Sequence, residues 1–463
     1  MPLFDPKHLA VWSGGQWEPC RPAKVTGISN NTRTLAPADL YVSIRGEHFD
    51  GHTFVGDAFD KGAAGAMVDQ DSELQGSEAR PLLRVADTTV ALGQLANAYR
   101  NHVDPTIVGV TGSVGKTTVK EMTATILSEA MPTARTFGNW NNAIGLPLSL
   151  LSMDANTRAG VFEVGMNHPG EIQHLCEVLC PQWGVVTSIG PVHIEFFDSV
   201  ESIANEKGAL LAALPDDGHA VLCSDDPCFS ILQKHVSCKL HTVSLSGFAD
   251  YVVDYESESG LLSVHETVSG ESLPPVAWQW PGSYNALNAA FAVAVARGLG
   301  LGWDVVARGL MRYQPLSMRW ERSDVNGVQF INDAYNANPL SMRAAVKAFE
   351  EIKVTGKKWL VLGDMLELGA HAEPEHIAFG ESLALGPWGG LLVVGALGAY
   401  IAQGARSKGF ADSRVWSCSD NAEVISILKH EMCSGDAVFL KASRGVALEE
   451  VVNGIKGLKK EAL

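Results

Sequence analysis

The sequence predicts an α/β protein of three domains: a small α/β domain, a central mostly parallel sheet with helices built around a phosphate loop, and a Rossmann-like C-terminal domain. Three observations carry that reading. At 463 residues the chain exceeds what one ordinary hydrophobic core sustains, and at roughly 150 residues per domain its length gives about three. Apolar runs of strand length alternate with helical stretches, the pattern of parallel strands joined by crossover helices. A glycine-containing turn followed by Lys-Thr-Thr stands between one such strand and the next helix. The domains are expected at residues 1–86, 87–315 and 316–463.

In the first domain Leu40–Ile44 and Ala66–Val68 read as strands, and the Ala/Gly-rich Ala58–Gly65 as the helix between them. Thr88–Asn101 has the spacing of an amphipathic helix and is followed by Pro105, so it introduces the second domain. There Thr106–Val110, Gly160–Val164 and Trp183–Ile189 read as buried strands. Polar and apolar residues alternate over Asp250–Trp280, which predicts an antiparallel insertion before an Ala-rich helix at Asn285–Arg297. In the third domain strands are expected near Gln329–Asn332, Trp359–Gly363, Leu391–Gly395 and Ala437–Ala442.

Composition removes several classes of function. Hydrophobic residues at 46% and charged ones at 19% suit packed soluble domains rather than disordered tails. A net charge of −17 and a pI near 5.3 argue against a nucleic-acid binder, which needs a basic stripe to replace counterions. No apolar run reaches the length of a membrane span, and Met1–Pro19 lacks a signal-peptide pattern, so a cytoplasmic protein is expected. The eight cysteines include no Cys-x-x-Cys pair. Cys176 and Cys180 beside His174 are read as free thiols on a helix face, with a metal cluster as the alternative.

Residues Thr111-Gly-Ser-Val-Gly-Lys-Thr-Thr118 follow a strand and precede a helix expected from Val119 to Ala130. In that context Gly112 and Gly115 let the backbone turn its N–H groups, with those of Ser113 and Val114, toward phosphates. Lys116 then reaches the outer phosphates, and Thr117, next to Thr118, offers a hydroxyl to magnesium. The full motif has glycine where Val110 stands, so this is a variant. The loop alone does not separate a switch, a motor, a kinase and a ligase. The guanine-reading Asn-Lys-x-Asp motif and arginine runs are both missing from the sequence, which leaves small-molecule chemistry.

Glu163 ends an apolar strand, and a carboxylate there must find a cation, which suits a magnesium ligand. His193 follows another strand, at the carboxyl edge where open α/β sheets collect ligands. By composition Lys207 is a plain surface lysine.

These residues, together with Asn139–Pro147 (Asn-Trp-Asn-Asn-Ala-Ile-Gly-Leu-Pro) and Glu163–Glu171, resemble the Mur ligase family, and the likeness runs through all three expected domains. The resemblance implies an ATP-dependent ligase of bacterial cell-wall precursor synthesis, using two Mg2+ ions and a carbamylated lysine. It puts the carbamate on Lys207, with Glu163 and His193 as its companions. It assigns Asn288 and Asn285 to the nucleotide, although two amides three apart at a helix start also serve as caps. Ser317-Met-Arg-Trp-Glu321 and Asp333-Ala-Tyr-Asn-Ala-Asn-Pro339 resemble the family's third-domain hallmarks, so Arg319, Asp333, Tyr335 and Asn338 are expected at the nucleotide.

The latter stretch, with Gly363–Gly369, His376 and Lys441-Ala-Ser-Arg444, looks like the branch that adds D-alanyl-D-alanine. It implies Asp364, His376, Lys441, Ser443 and Arg444 for the dipeptide, whereas charge alone makes Lys441 and Arg444 a solvated pair. For the other substrate, a UDP-N-acetylmuramoyl-tripeptide, the resemblance implies Asn139, Asn141 and Asn142, with Thr32, Arg33, Asp50 and His52 in the first domain. Where the family has Asp-Ser-Arg, this chain has Asn31-Thr32-Arg33, which loses the carboxylate. A monomer is expected. The alternatives are a folylpolyglutamate-type ligase and a non-catalytic nucleotide switch.

Overall fold

A computed structural model describes residues 4–46, 49–74 and 79–457. Three sheets follow one another along the chain. The first has five strands, in the order Gln16–Glu18, Leu82–Val85, Gly65–Asp69, Asp39–Val42 and Gly27–Ser29, parallel except for Gln16–Glu18. Its helix is Val55–Asp60, five residues earlier at its end than the alanines and glycines of Ala58–Gly65 indicate. The shift has a local cause. The Asp50 carboxylate accepts the N–H of His52 and starts a 3-10 turn at Gly51–Phe54, which runs straight into the helix.

The central sheet has nine strands. Its parallel middle carries Thr106–Thr111 between Trp183–Val186 and Ala159–Glu163. Tyr251–Glu256 joins in parallel, and Leu261–Glu266 and Glu271–Ala277 then extend the sheet as an antiparallel flap. Helices Lys116–Ser128 and Ser283–Gly298 pack against one another on one face. The second is Ala-rich, which lets it lie close: Gly115 abuts the Asn288 amide, with no room for a side chain between them.

The third sheet orders as Glu321–Val325, Val328–Asn332, Ala437–Lys441, Lys358–Gly363, Trp388–Val394 and Val415–Cys418. Its two edge strands, Glu321–Val325 and Val415–Cys418, are additions to the expected set. An edge strand pairs on one side only and needs no continuous apolar run, so Glu-Arg-Ser-Asp-Val carries little strand signal.

Helix Thr88–Val103 joins the first two sheets. Thr88 Oγ1 donates to Ser43 O at 2.7 Å, and Tyr99 Oη to Met153 O at 2.6 Å, while Leu92, Leu95 and Ala96 enter a core shared by both sheets. The Asp87 carboxylate caps its first turn through the N–H groups of Thr89 and Val90. No helix among the described residues is long and apolar enough to cross a membrane.

Candidate active site

The strand Thr106–Thr111 delivers the chain into a turn that only glycine fits. Gly112 has φ +145° and Gly115 φ +93°, and a Cβ on Gly112 would stand 2.1 Å from Thr187 Oγ1. The turn is sewn to the neighbouring strand end: Ser113 N donates to Ser188 O at 2.7 Å and Val114 N to Ser188 Oγ at 3.1 Å. Lys116 opens the following helix and folds back to donate to Gly112 O at 2.8 Å. The N–H groups of Ser113 and Val114 are thus engaged by Ser188 rather than turned to a phosphate, and the helix N-terminus and the Lys116 ammonium form the arrangement suited to a polyphosphate.

Glu163 faces this turn because its strand pairs it with Val110. It is 2% exposed; its Oε2 accepts from Thr117 Oγ1 at 2.8 Å and its Oε1 from Asn141 Nδ2 at 2.9 Å. Among the described residues it has no lysine, arginine or histidine within ion-pair distance. A buried carboxylate of that kind, beside a hydroxyl and without a direct ion pair, offers hard oxygen donors, which fits a divalent cation such as Mg2+.

His193 is held at φ +57° on the loop after Trp183–Val186. Burial, then Lys116 and Lys207, lower its pKa to about 4, so the ring is neutral at neutral pH. Its Nδ1 lies 2.8 Å from Glu367 Oε2, but off the direction of a hydrogen bond.

Lys207 corrects the surface reading: it is 2% exposed on helix Val200–Ala212. Burial and the neighbouring Lys116 hold its ammonium well below the ordinary lysine range, against the pull of Glu206 and Glu163. Lys116 is lowered by desolvation, with Glu163 opposing and Arg319 adding to the shift.

The cleft above these groups has a volume of about 400 Å³ and is walled by the central and third domains. Ser113, Val114, Gly115, Lys116, Thr117 and Thr118 form its floor, with Glu163 and His193 beside them. Asn139 and Asn141 reach it from one side, Asn285 and Asn288 from another. Asn285 also donates to Pro281 O at 2.9 Å, so its amide anchors the helix start as well. From the third domain come Arg319, whose guanidinium lies 4.3 Å over the Tyr335 ring, and Asp333, Asn338, Lys441 and Arg444.

Several expected site residues have other partners. Lys441 is buried, not solvated: its Nζ is 2.6 Å from Asp333 Oδ2 and also donates to the carbonyls of Asp333 and Asn336, which leaves no donor for a dipeptide. Arg444 is half-exposed and pairs with Glu449 at 2.6 Å. Asn338 spends its side chain on the cap of helix Pro339–Glu351, accepting from Ser341 N at 2.8 Å. His376 is fully buried and outside the cleft, with one ring nitrogen at Met365 N and the other at Ala372 O, so it supports a loop and cannot touch substrate. Asp364 accepts from Gly398 N, Ser443 from Leu366 N, and Asn142 caps helix Gly145–Leu151; none lines the cleft.

In the first domain His52 is buried, its nitrogens bound to the Asp50 carboxylate at 2.7 Å and to Asp69 N at 3.1 Å. Both residues shape the loop rather than offer free ligand groups. Arg33 is exposed, and Thr32 half-buried with its carbonyl accepting from Lys61. Among the described residues no cluster of three His, Cys, Asp or Glu side chains surrounds Cys176 and Cys180.

The sequence reading did not single out Trp280, Tyr284 and Tyr313, aromatic walls of the cleft, or Glu367. The aromatics lack a motif. Glu367 had one signal, its place in Gly363-Asp-Met-Leu-Glu-Leu-Gly369, and it stands at φ +63°, a strained backbone of the kind that gathers at working sites.

Comparison with known proteins agrees with this geometry. Residues 24–100 match the catalytic domain of the Mur ligase family, 110–296 the Mur ligase middle domain and 318–444 the Mur ligase glutamate ligase domain. A relative from Bacillus subtilis (strain 168), named "UDP-N-acetylmuramoyl-tripeptide--D-alanyl-D-alanine ligase", is 37% identical over 435 residues, 93% of each chain. One of the same name from Escherichia coli (strain K12) is 32% identical over 444 residues, again 93% of each. The crystal structure of MurF from Acinetobacter baumannii superposes with a TM-score of 0.88 at 26% identity, over 99% of both chains. MurF ligase from Thermotoga maritima in complex with ADP gives 0.80 at 26% identity, over 94% of this chain and 97% of that one. With a phosphate loop, a buried metal-seeking carboxylate and three domains each matched in order, the chain belongs to the Mur ligase family.

Proposed function

We propose that the chain is an ATP-dependent ligase that joins D-alanyl-D-alanine to a UDP-N-acetylmuramoyl-tripeptide in peptidoglycan precursor synthesis, working as a cytoplasmic monomer. One observation carries the reading: Lys116, Thr117 and the unpaired Glu163 share a cleft with Arg319 of a different domain. That arrangement suits transfer of a terminal phosphate in a site closed by domain movement. The names of the relatives above supply the substrates.

The tripeptide carboxylate attacks the γ-phosphorus of ATP, ADP leaves, and an acyl phosphate forms. The amine of the dipeptide then attacks the acyl carbon, inorganic phosphate leaves with the C–O bonding pair, and the nitrogen gives up one proton to the departing phosphate. Lys116 and the amides of residues 115–118 hold the phosphates, since those of Ser113 and Val114 are taken by Ser188, and Arg319 approaches from the third domain. Thr117, Glu163, His193 and a carbamylated Lys207 are the residues that would hold two Mg2+ ions, which when bound neutralise phosphate charge. Asn285, Asn288, Tyr335 and Asp333 border the nucleoside end, while Asn139 and Asn141 meet the peptide. Residues 1–86 take the UDP end, 87–315 the ATP, and 316–463 the incoming dipeptide.

Carbamylation needs a neutral amine, and the burial that holds the Lys207 pKa well below the ordinary lysine range favours it. Protein exchanged into 13C-bicarbonate should show a slowly exchanging carbamate carbon by NMR that Lys207→Ala lacks, together with lost turnover. Full activity of Lys207→Ala would remove the assignment.

A further inference from the structure

We infer that Glu367 receives the ammonium group of the incoming amine, an inference that rests on the ligase reading above. At neutral pH a dipeptide arrives as an ammonium, and it must reach the phosphate end of the cleft, where the acyl phosphate forms. That end already holds cations: Lys116 stands there, and Arg319 lies close enough to help depress its pKa. A further cation enters such a region only where a carboxylate offsets the repulsion.

Three carboxylates line the cleft: Glu163, Asp333 and Glu367. Glu163 is buried on the phosphate side, engaged by Thr117 and Asn141. Asp333 is neutralised by Lys441 at 2.6 Å. Glu367 remains. Its side chain is 50% exposed, and among the described residues it has no lysine or arginine partner; the His193 ring lies 2.8 Å away.

Among the described residues no lysine or arginine therefore stands against the Glu367 carboxylate. Gly369, two residues on, closes against Glu195 on the short turn Ile194–Phe196 of the central domain. The strained φ of +63° carries Glu367 from the third domain toward a central-domain residue that sits beside Lys116 and Lys207. The carboxylate thus marks the boundary between the phosphate end and the domain proposed to hold the dipeptide.

The test compares wild type with Glu367→Gln, which keeps the shape and removes the charge. Two nucleophiles are used at saturating ATP and UDP-linked tripeptide: D-alanyl-D-alanine, and hydroxylamine, which is largely neutral at pH 7 and traps an acyl phosphate as a hydroxamate. Glu367→Gln should raise the KM for the dipeptide by about 10- to 100-fold, the worth of one charge-assisted hydrogen bond. Hydroxamate formation should stay within about twofold, which also shows the variant folded. An unchanged dipeptide KM overturns the inference. So does a parallel loss of hydroxamate, which would give Glu367 to a metal ion or to the phosphates instead. If wild type forms neither product, the ligase reading itself fails.

Discussion

Replacing Gly112 with alanine tests the phosphate loop at its tightest point. The added methyl would sit 2.1 Å from Thr187 Oγ1, 3.0 Å from Thr187 N and 3.1 Å from Ser188 N. The hydroxyl cannot swing away freely, because it donates to Val114 O at 2.5 Å. Backbone strain at φ +145° costs about 1–3 kcal/mol and overpacking a further ~1–3 kcal/mol. The loop can relieve this only by moving its amide groups off the phosphate positions, and even 2 kcal/mol corresponds to roughly 30-fold weaker ATP binding. Calorimetric titration with ATP, paired with thermal melts, measures how the cost divides between binding and stability. Gly300→Ala is the control, since Gly300 has φ +83° but open space around its missing Cβ, so it pays for backbone strain alone. Wild-type ATP affinity and melting temperature in Gly112→Ala, or equal damage from Gly300→Ala, would refute the steric argument.

Lys116→Ala should lower kcat by about 10²–10³, the usual cost of one preorganised charge partner of the transition state, measured by ADP release; normal turnover would remove Lys116 from the site. Lys441→Met strands the Asp333 carboxylate and should destabilise the fold by about 3–5 kcal/mol in urea unfolding, with Asp333→Asn restoring part of it; no loss, or no coupling between the two, would show that the pair is not what holds the Asp333–Asn338 loop. His241 gives a pH test. It is buried against His219, with Nδ1 of His219 3.0 Å from its Nε2, and burial, then Lys239 and His219, lower its pKa to about 4 against the pull of Asp250 and Glu266. As pH falls below about 6.5 the unfolded chain takes a proton that the folded one refuses, so stability is lost toward pH 4, by roughly 3 kcal/mol. His241→Gln should flatten that part of the acid profile, and an unchanged slope between pH 6.5 and 4.5 would contradict the sign.

Features set by short stretches of chain were legible in the sequence. The phosphate loop, the strand that presents Glu163, the antiparallel flap over Asp250–Trp280 and the helix Ser283–Gly298 each follow from local pattern. What sequence hides is who partners whom at long range. Lysine is usually solvated, so nothing around Lys207 announces a buried amine. Lys441 and Asp333 are 108 residues apart, and only adjacent strand ends bring them to 2.6 Å. His52 and His376 look like ligand groups until the structure shows that backbone N–H groups and a carbonyl or carboxylate already occupy their rings. The strand Glu321–Val325 escaped notice because an edge position tolerates polar side chains, and the helix Val55–Asp60 was displaced because Asp50 caps the 3-10 turn that runs into it, before the alanine-rich stretch begins.

The central claim is that one cleft couples ATP cleavage to amide formation between two particular substrates. Purified protein incubated with ATP, Mg2+, UDP-N-acetylmuramoyl-tripeptide and D-alanyl-D-alanine should release one phosphate per pentapeptide formed, read by mass spectrometry of the product. Omitting either the tripeptide or the dipeptide should stop product formation. Phosphate release indifferent to both, or product made with glutamate and a folate in place of these substrates, would contradict the account.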